Sequence, residues 1–340
     1  MKKLITLSML LMASVLFAQE TTEAPKFTLS GSIDAYYRAN LNAPNDADNW
    51  TAPGSSFANL PGFALGMANV VASYEGEKVG FVADLVFGPR GTDAIFASPM
   101  YSATGNIVNQ LYAYWNVSES VKLTMGNFNT FLGYEVISPV ANFNYSTSYL
   151  FSYGPFSHTG LKADFALSED FGLMLAVMND TDLTEFNPTG DYAFGAQLGY
   201  KGQFLNLLVD PSFTEIDFTG GFDLSDSFFL GINAAYLTLE NDGGGFAGAA
   251  LYPQYAVSDT FTLGLRGEYF VEDGDFGAIG TGVEDSSVFA TTLTASFAID
   301  NLTIKPEIRL DSASDNAFLN NDLAGQKSLS SFVLAAIYSF

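Results

Sequence analysis

The chain contains no cysteine and a single histidine, His158. The first absence removes disulfides, thiolate nucleophiles and Cys-based metal centres. The second leaves little support for histidine-dependent catalysis or multi-histidine metal sites. Basic residues are scarce, 13 Lys and Arg against 37 Asp and Glu, so the electrostatic footprint that phosphate binding needs is missing and nucleic acid is excluded as a partner. No segment reaches the roughly 18 consecutive apolar residues of a spanning helix, although 48% of the chain is hydrophobic. Such a chain is either a large secreted β-protein or a membrane barrel, because only helices and closed barrels satisfy every backbone polar group in lipid.

The N-terminus reads as an address. Lys2 and Lys3, an apolar run over 4–17 and the small Ala18 form an export signal over 1–18. Residues 19–26 are then a short N-terminal segment and 27–340 the folded unit.

What the chain has in quantity is alternation. Phe27, Leu29, Ile33, Ala35 and Tyr37 share one face, with Thr28, Ser30, Ser32, Asp34 and Arg38 on the other. Leu302, Ile304, Pro306, Ile308 and Leu310 likewise oppose Thr303, Lys305, Glu307, Arg309 and Asp311. Period two is the signature of a strand with one apolar and one polar face. At the C-terminus Phe332, Leu334, Ala336, Tyr338 and Phe340 continue it to the last residue.

Tight polar turns near 75–78, 118–120, 168–170, 201–203, 225–227, 258–260 and 300–301 alternate with longer segments near 40–61, 89–105, 126–157, 181–191, 241–245, 272–285 and 312–327. Short turns at one end and long loops at the other characterise outer-membrane barrels. The expectation is an all-β, transmembrane antiparallel barrel of about 16 strands with short periplasmic turns and long extracellular loops. The aromatic pattern at 142–157 is assigned to the third loop, since a strand there would invert every later turn. A soluble β-sandwich alternates too. Against it stand Tyr37, Tyr236 and Tyr269 on the apolar face near the loop ends and Trp115, Phe228, Phe261, Tyr338 and Phe340 near the turn ends, two aromatic girdles.

The stretch GNFNTFLGYE at 126–135, NFNYSTSYLF at 142–151, Gly154-Pro155 and His158-Thr159-Gly160 resemble the putative β-barrel porin-2 family of Gram-negative outer membranes. The specific motif covers about 126–180, and the general pattern covers the whole chain. The resemblance implies an outer-membrane channel with no catalytic residues to transfer, and a C-terminal Phe340 read by the barrel-assembly machinery.

Two features carry the expected function, passive diffusion of small hydrophilic solutes and ions. The loop at 126–157 is long, aromatic and Asn-rich with one charge, Glu135, so it is expected to pack into the lumen as a constriction that includes Asn142, Asn144 and Tyr145. A trimer contact or an outer lid is its alternative place, and a homotrimer is compatible with the pattern. Arg38, Arg266, Lys305 and Arg309 fall on polar faces of strands that closure brings together, and with Lys162, Glu268 and Glu307 they are expected to line the pore. A basic wall across from Glu135 would set up a transverse field; in-strand pairing of Arg266 with Glu268, and of Lys305 and Arg309 with Glu307, would cancel it.

A solute-specific uptake channel or ligand-binding barrel is the second reading. A barrel hydrolase is the third, with His158 beside Ser157 and Thr159 as its only histidine base. Enzymatic function is not expected. Acidic clusters at 180–182, 240–242 and 272–275 fit no EF-hand spacing and read as solvated loop, so no metal or cofactor is expected. The expected partners are outer-membrane lipid and small hydrophilic solutes.

Overall fold

The computed structural model describes residues 26–46, 48–95, 107–184, 187 and 189–340. The expected export signal at 1–18, residues 19–25 and much of the loop at 89–105 lie outside the described residues.

The alternating segments become strands β1 (Lys26–Asn40), β2 (Gly62–Glu75), β3 (Val79–Phe87), β4 (Val108–Ser118), β5 (Val121–Asn129), β6 (Ser157–Ala166), β7 (Phe171–Met178), β8 (Ala193–Tyr200) and β9 (Gln203–Val209). They continue as β10 (Phe213–Asp223), β11 (Phe228–Leu239), β12 (Gly245–Ser258), β13 (Phe261–Asp273), β14 (Ser287–Ile299) and β15 (Leu302–Ala313). A small hairpin, β16 (Phe318–Leu319) with β17 (Gly325–Gln326), decorates the last loop, and β18 (Ser328–Ser339) follows. Two short helices, α1 (Pro89–Ala94) and α2 (Tyr149–Tyr153), lie in the second and third loops.

Sixteen of these strands form one closed antiparallel barrel in sequential order, with β18 between β15 and β1. Closure removes every free edge, so the ladder meets the backbone of each spanning segment. The seam pairs Ala35 with Ala336 and Arg38 with Val333. It extends to the last residue, where Phe340 and Gly31 exchange backbone hydrogen bonds at 3.0 and 3.1 Å. Gly31 has no Cβ that would collide with the Phe340 ring lying over it.

Pro306 has no N–H to donate, and the β14–β15 ladder is interrupted there, between the pairs Thr294 with Glu307 and Phe297 with Ile304.

The two faces separate as alternation requires. On β13 Leu265 and Tyr269 are exposed on the outer wall, whereas Arg266 and Glu268 are both 0% exposed inside. Outward aromatics pack across strands, Phe261 stacked on Phe297 and Phe171 tilted against Tyr200, each at 4.6 Å between ring centroids. The tight turns gather at one end and the longer loops at the other.

An arginine placed at the middle of the outer wall should meet hydrocarbon. Leu293→Arg, on the central residue of β14, should cost about 2–4 kcal/mol in denaturant unfolding from lipid vesicles. Leu293→Ala should cost less, since it brings no charge into lipid.

Candidate functional site: the loop that fills the lumen

The third loop runs from 130 to 156, because 126–129 belong to β5 and 157 begins β6. A loop folded into a barrel has no ladder of its own, so beyond a few backbone bonds such as Ser152 N–H to the Ser148 carbonyl its N–H and C=O groups must be met by side chains. Its Asn, Ser and Thr residues meet some of them. Asn142 closes the excursion between 136 and 142, accepting from the Val136 N–H at 2.8 Å and donating to the Val136 carbonyl at 2.6 Å. Ser148 caps α2 by accepting from the Phe151 N–H at 3.0 Å.

The barrel wall meets many of the others. Acidic side chains of the wall take the loop's N–H groups. Glu307 accepts from Tyr145 at 2.9 Å and Ser146 at 3.2 Å, and also from the Ser146 hydroxyl. Glu268 accepts from Tyr149 and Leu150 at 3.0 and 2.8 Å, and Asp217 accepts from Gly133 at 3.1 Å.

Basic side chains take the carbonyls. Arg266 donates to Ser146 at 2.6 Å and Thr147 at 3.2 Å. Arg309 reaches Thr147 at 2.8 Å, and Lys305 reaches Asn142 at 2.5 Å and Pro139 at 3.3 Å. From the second loop, Arg90 donates to Ile137 at 2.8 Å and Tyr145 at 3.3 Å, its guanidinium 4.4 Å from the Phe57 ring centroid.

At the centre lies an ion pair, Arg266 to Glu135 at 2.6 Å, with side chains 0% and 3% exposed. The other Glu135 oxygen accepts from the Ser148 N–H and hydroxyl at 2.7 and 2.6 Å. Both charges are therefore paired and hydrogen-bonded, the condition for burying them. Tyr145 donates its hydroxyl to Asp34 at 2.5 Å. Burial and the adjacent Asp34 carboxylate both raise the Tyr145 phenol above its ordinary pKa, so it remains the donor.

Apolar packing completes the seat. Tyr149 and Leu150 join Phe246, Phe270, Ala278 and Ile279, while Phe151 and Phe156 pack with Phe57, Met67 and Val86. Tyr134 stacks on Tyr252 at 4.2 Å. The wall makes room by omission: a Cβ at Gly231 would run into the Tyr134 ring, and one at Gly264 into Phe143.

All seven residues expected to line the pore face inward, but six of them do not border open water. Arg38, Arg266, Glu268, Lys305, Glu307 and Arg309 are at most 4% exposed, covered by the loops. Lys162 keeps a side chain 26% exposed. The four expected loop residues, Glu135, Asn142, Asn144 and Tyr145, are likewise buried anchors, at most 6% exposed. Asn144 holds Thr294 at 2.7 Å.

The expected geometry of a basic wall across a gap from Glu135 is corrected: the loop crosses the lumen and Glu135 touches that wall. Neither expected in-strand pairing forms. Arg266 takes Glu135, and Arg309 takes Asp311, two residues along its own strand at 2.8 Å.

Sequence reasoning placed Asp34 and Asp311 on polar faces without naming them as site residues, and it missed Asp217 and Arg90. Asp311 shares the alternating face of Arg309, and that signal could have found it. Arg90 sits in a loop without periodicity and gave none. His158 is 0% exposed on β6, with its Nε2 3.0 Å from the Thr130 hydroxyl and its ring against Phe131 at 5.3 Å. No cluster of three His, Cys, Asp or Glu residues among the described residues could hold a metal ion.

A closed sixteen-strand barrel, apolar outside and polar inside, with a loop folded into its lumen, defines the outer-membrane porin class. The family model "Putative beta-barrel porin-2, OmpL-like" matches residues 26–340, and the chain belongs to that family of outer-membrane porins.

Three solved structures share the fold. The outer membrane channel DcaP of Acinetobacter baumannii has TM-score 0.61 and 12% identity, with 96% of this chain and 100% of that one covered. The anion-selective porin from Comamonas acidovorans has TM-score 0.60 and 13% identity, with coverage 93% and 100%. OmpT of Vibrio cholerae in its trimer form has TM-score 0.54 and 13% identity, with coverage 94% and 100%. We found no match among curated proteins.

Glu135→Gln removes the charge that pairs with a fully buried Arg266, and should loosen the loop by about 3–5 kcal/mol. Hydrogen exchange at the amides of 145–150 should speed up strongly while amides in β7 to β9 keep their protection.

Proposed function

We propose that the barrel passes small hydrophilic solutes and ions by passive diffusion, and that the loop at 130–156 sets the cross-section available to them. The observation that carries this reading is the buried Arg266–Glu135 pair, with the Glu268 and Glu307 carboxylates holding adjacent backbone N–H groups. These contacts pin the loop across the lumen rather than leaving it in external water. A loop held so firmly defines a fixed restriction, which suits diffusion limited by size and charge. A solute-specific uptake channel is the second reading, and a saturable, solute-dependent block of the current would favour it.

Under the same reading the outer wall faces outer-membrane lipid, 1–18 directs export, and Phe340 presents its ring at the closing seam to the barrel-assembly machinery. A homotrimer is compatible with this reading, the trimer form of Vibrio cholerae OmpT being a structural neighbour.

In planar bilayers the purified protein should give stepwise, ohmic conductances. Replacing Val136 to Tyr153 by a short Gly-Ser bridge should raise the single-channel conductance; an unaltered conductance in a folded variant would place the restriction elsewhere. Deleting Phe340 should lower outer-membrane levels, measured by surface labelling, and normal levels would remove its assembly role.

A further inference from the structure

The charges of the inner wall divide by access to water. Arg38, Arg266, Lys305 and Arg309 on the wall, and Arg90 from the second loop, are at most 4% exposed; their bonded donors meet the loops, Thr292 or Asp311, while Arg38 Nη2, Arg90 Nη2 and Arg266 Nε find no partner among the described residues. Two inward-facing lysines on the opposite side of the barrel are different. Lys122 on β5 is half-buried, and Lys162 on the neighbouring β6 has a side chain 26% exposed. In the ladder Lys122 lies opposite Asp164, and Lys162 opposite Thr124.

The partners of these lysines do not neutralise them. Asp164 is 3.7 Å from Lys162, a half-exposed ion pair of the kind worth little in water. Lys122 makes no ion pair within 4.0 Å among the described residues; its ammonium lies 4.1 Å from the centroid of the Tyr114 ring. That ring is laid down by the wall itself, because Gly80, directly opposite on β3, has no Cβ to hold it away. The Lys162 ammonium lies 5.3 Å from the Phe128 ring centroid. Aromatic faces attract a cation without consuming its charge. The other carboxylate nearby, Glu75 at the end of β2, stands opposite Lys26 in the β1–β2 ladder.

We propose that Lys122 and Lys162 form a subsite for small oxyanions, carboxylate or phosphate, near the tight-turn mouth of the pore. The subsite rests on the porin reading and names a solute class for it. A lysine ammonium is a compact charge with three rotatable donors, suited to a brief contact with a hydrated oxyanion. With Lys26 opposite Glu75, three ammonium groups meet the two carboxylates Asp164 and Glu75, a local excess of one positive charge inside a chain whose net charge is −24. The bulk charge favours cations and this wall favours anions, so the two predict opposite selectivity.

The test uses the full-length protein in planar bilayers, comparing the native chain with Lys122→Gln/Lys162→Gln and Lys122→Arg/Lys162→Arg. Reversal potentials in a potassium chloride gradient should show an anion-to-cation permeability ratio that falls about fivefold in the glutamine variant and is retained in the arginine variant. Millimolar inorganic phosphate, and separately acetate, should reduce chloride current through the native channel but not through the glutamine variant. Block by only one of the two would assign the subsite to that oxyanion. An unchanged reversal potential and unchanged block in a conducting glutamine variant would overturn the subsite alone. Silence of the native channel would overturn the porin reading and this inference with it.

Discussion

A segment that enters a barrel must have its backbone polar groups met there, and this constraint organises the inner wall. The strands satisfy one another through the closed ladder. The loop at 130–156 has none, so side chains from several strands do for it what hydrogen-bonded neighbours do for a strand. Glu268 and Glu307 act as acceptors for paired N–H groups, while Arg266, Arg309 and Lys305 act as donors to carbonyls. Charged side chains suit this task because a bond with one ionised partner is roughly twice as strong as a neutral one.

The same arrangement explains why so many charges can be buried in a channel protein. Arg266 and Glu135 lie at the meeting point of wall and loop, each with further hydrogen bonds. An isolated charge there would be prohibitive, and a pair that lost one member would be worse than a wholly apolar contact. Aromatic packing fills the remaining space, and glycines on the wall let rings approach where a Cβ would block them. Gly231 and Gly264 do so for the loop, and Gly80 does so for Tyr114.

Consequently the two sides of the lumen differ in chemistry. Around β1, β13 and β15 the wall is a dry socket whose charges hold the loops or one another. Around β4 to β6 the wall keeps half-exposed Lys122, Lys162 and Asp164. Charges that remain hydrated can act on a passing ion, while charges satisfied by protein act on the structure.

Much of this architecture was legible in the sequence, because period-two alternation is local. The sixteen barrel strands fall between the expected turns and loops, with β5 running four residues into the expected third loop, and the inward orientation of Arg38, Arg266, Lys305 and Arg309 follows from parity alone. The low charge and many aromatics of 126–157 likewise pointed to packing rather than solvation. What residue order could not supply was pairing at a distance. Arg266 has Glu268 two positions away and takes Glu135, 131 residues earlier, because the carboxylate of Glu268 is turned to the N–H groups that begin α2. Local sequence determined which face each side chain occupies, since a strand offers only two. The tertiary structure decided which charges are consumed and which stay wet, since that depends on where a loop without periodicity comes to rest.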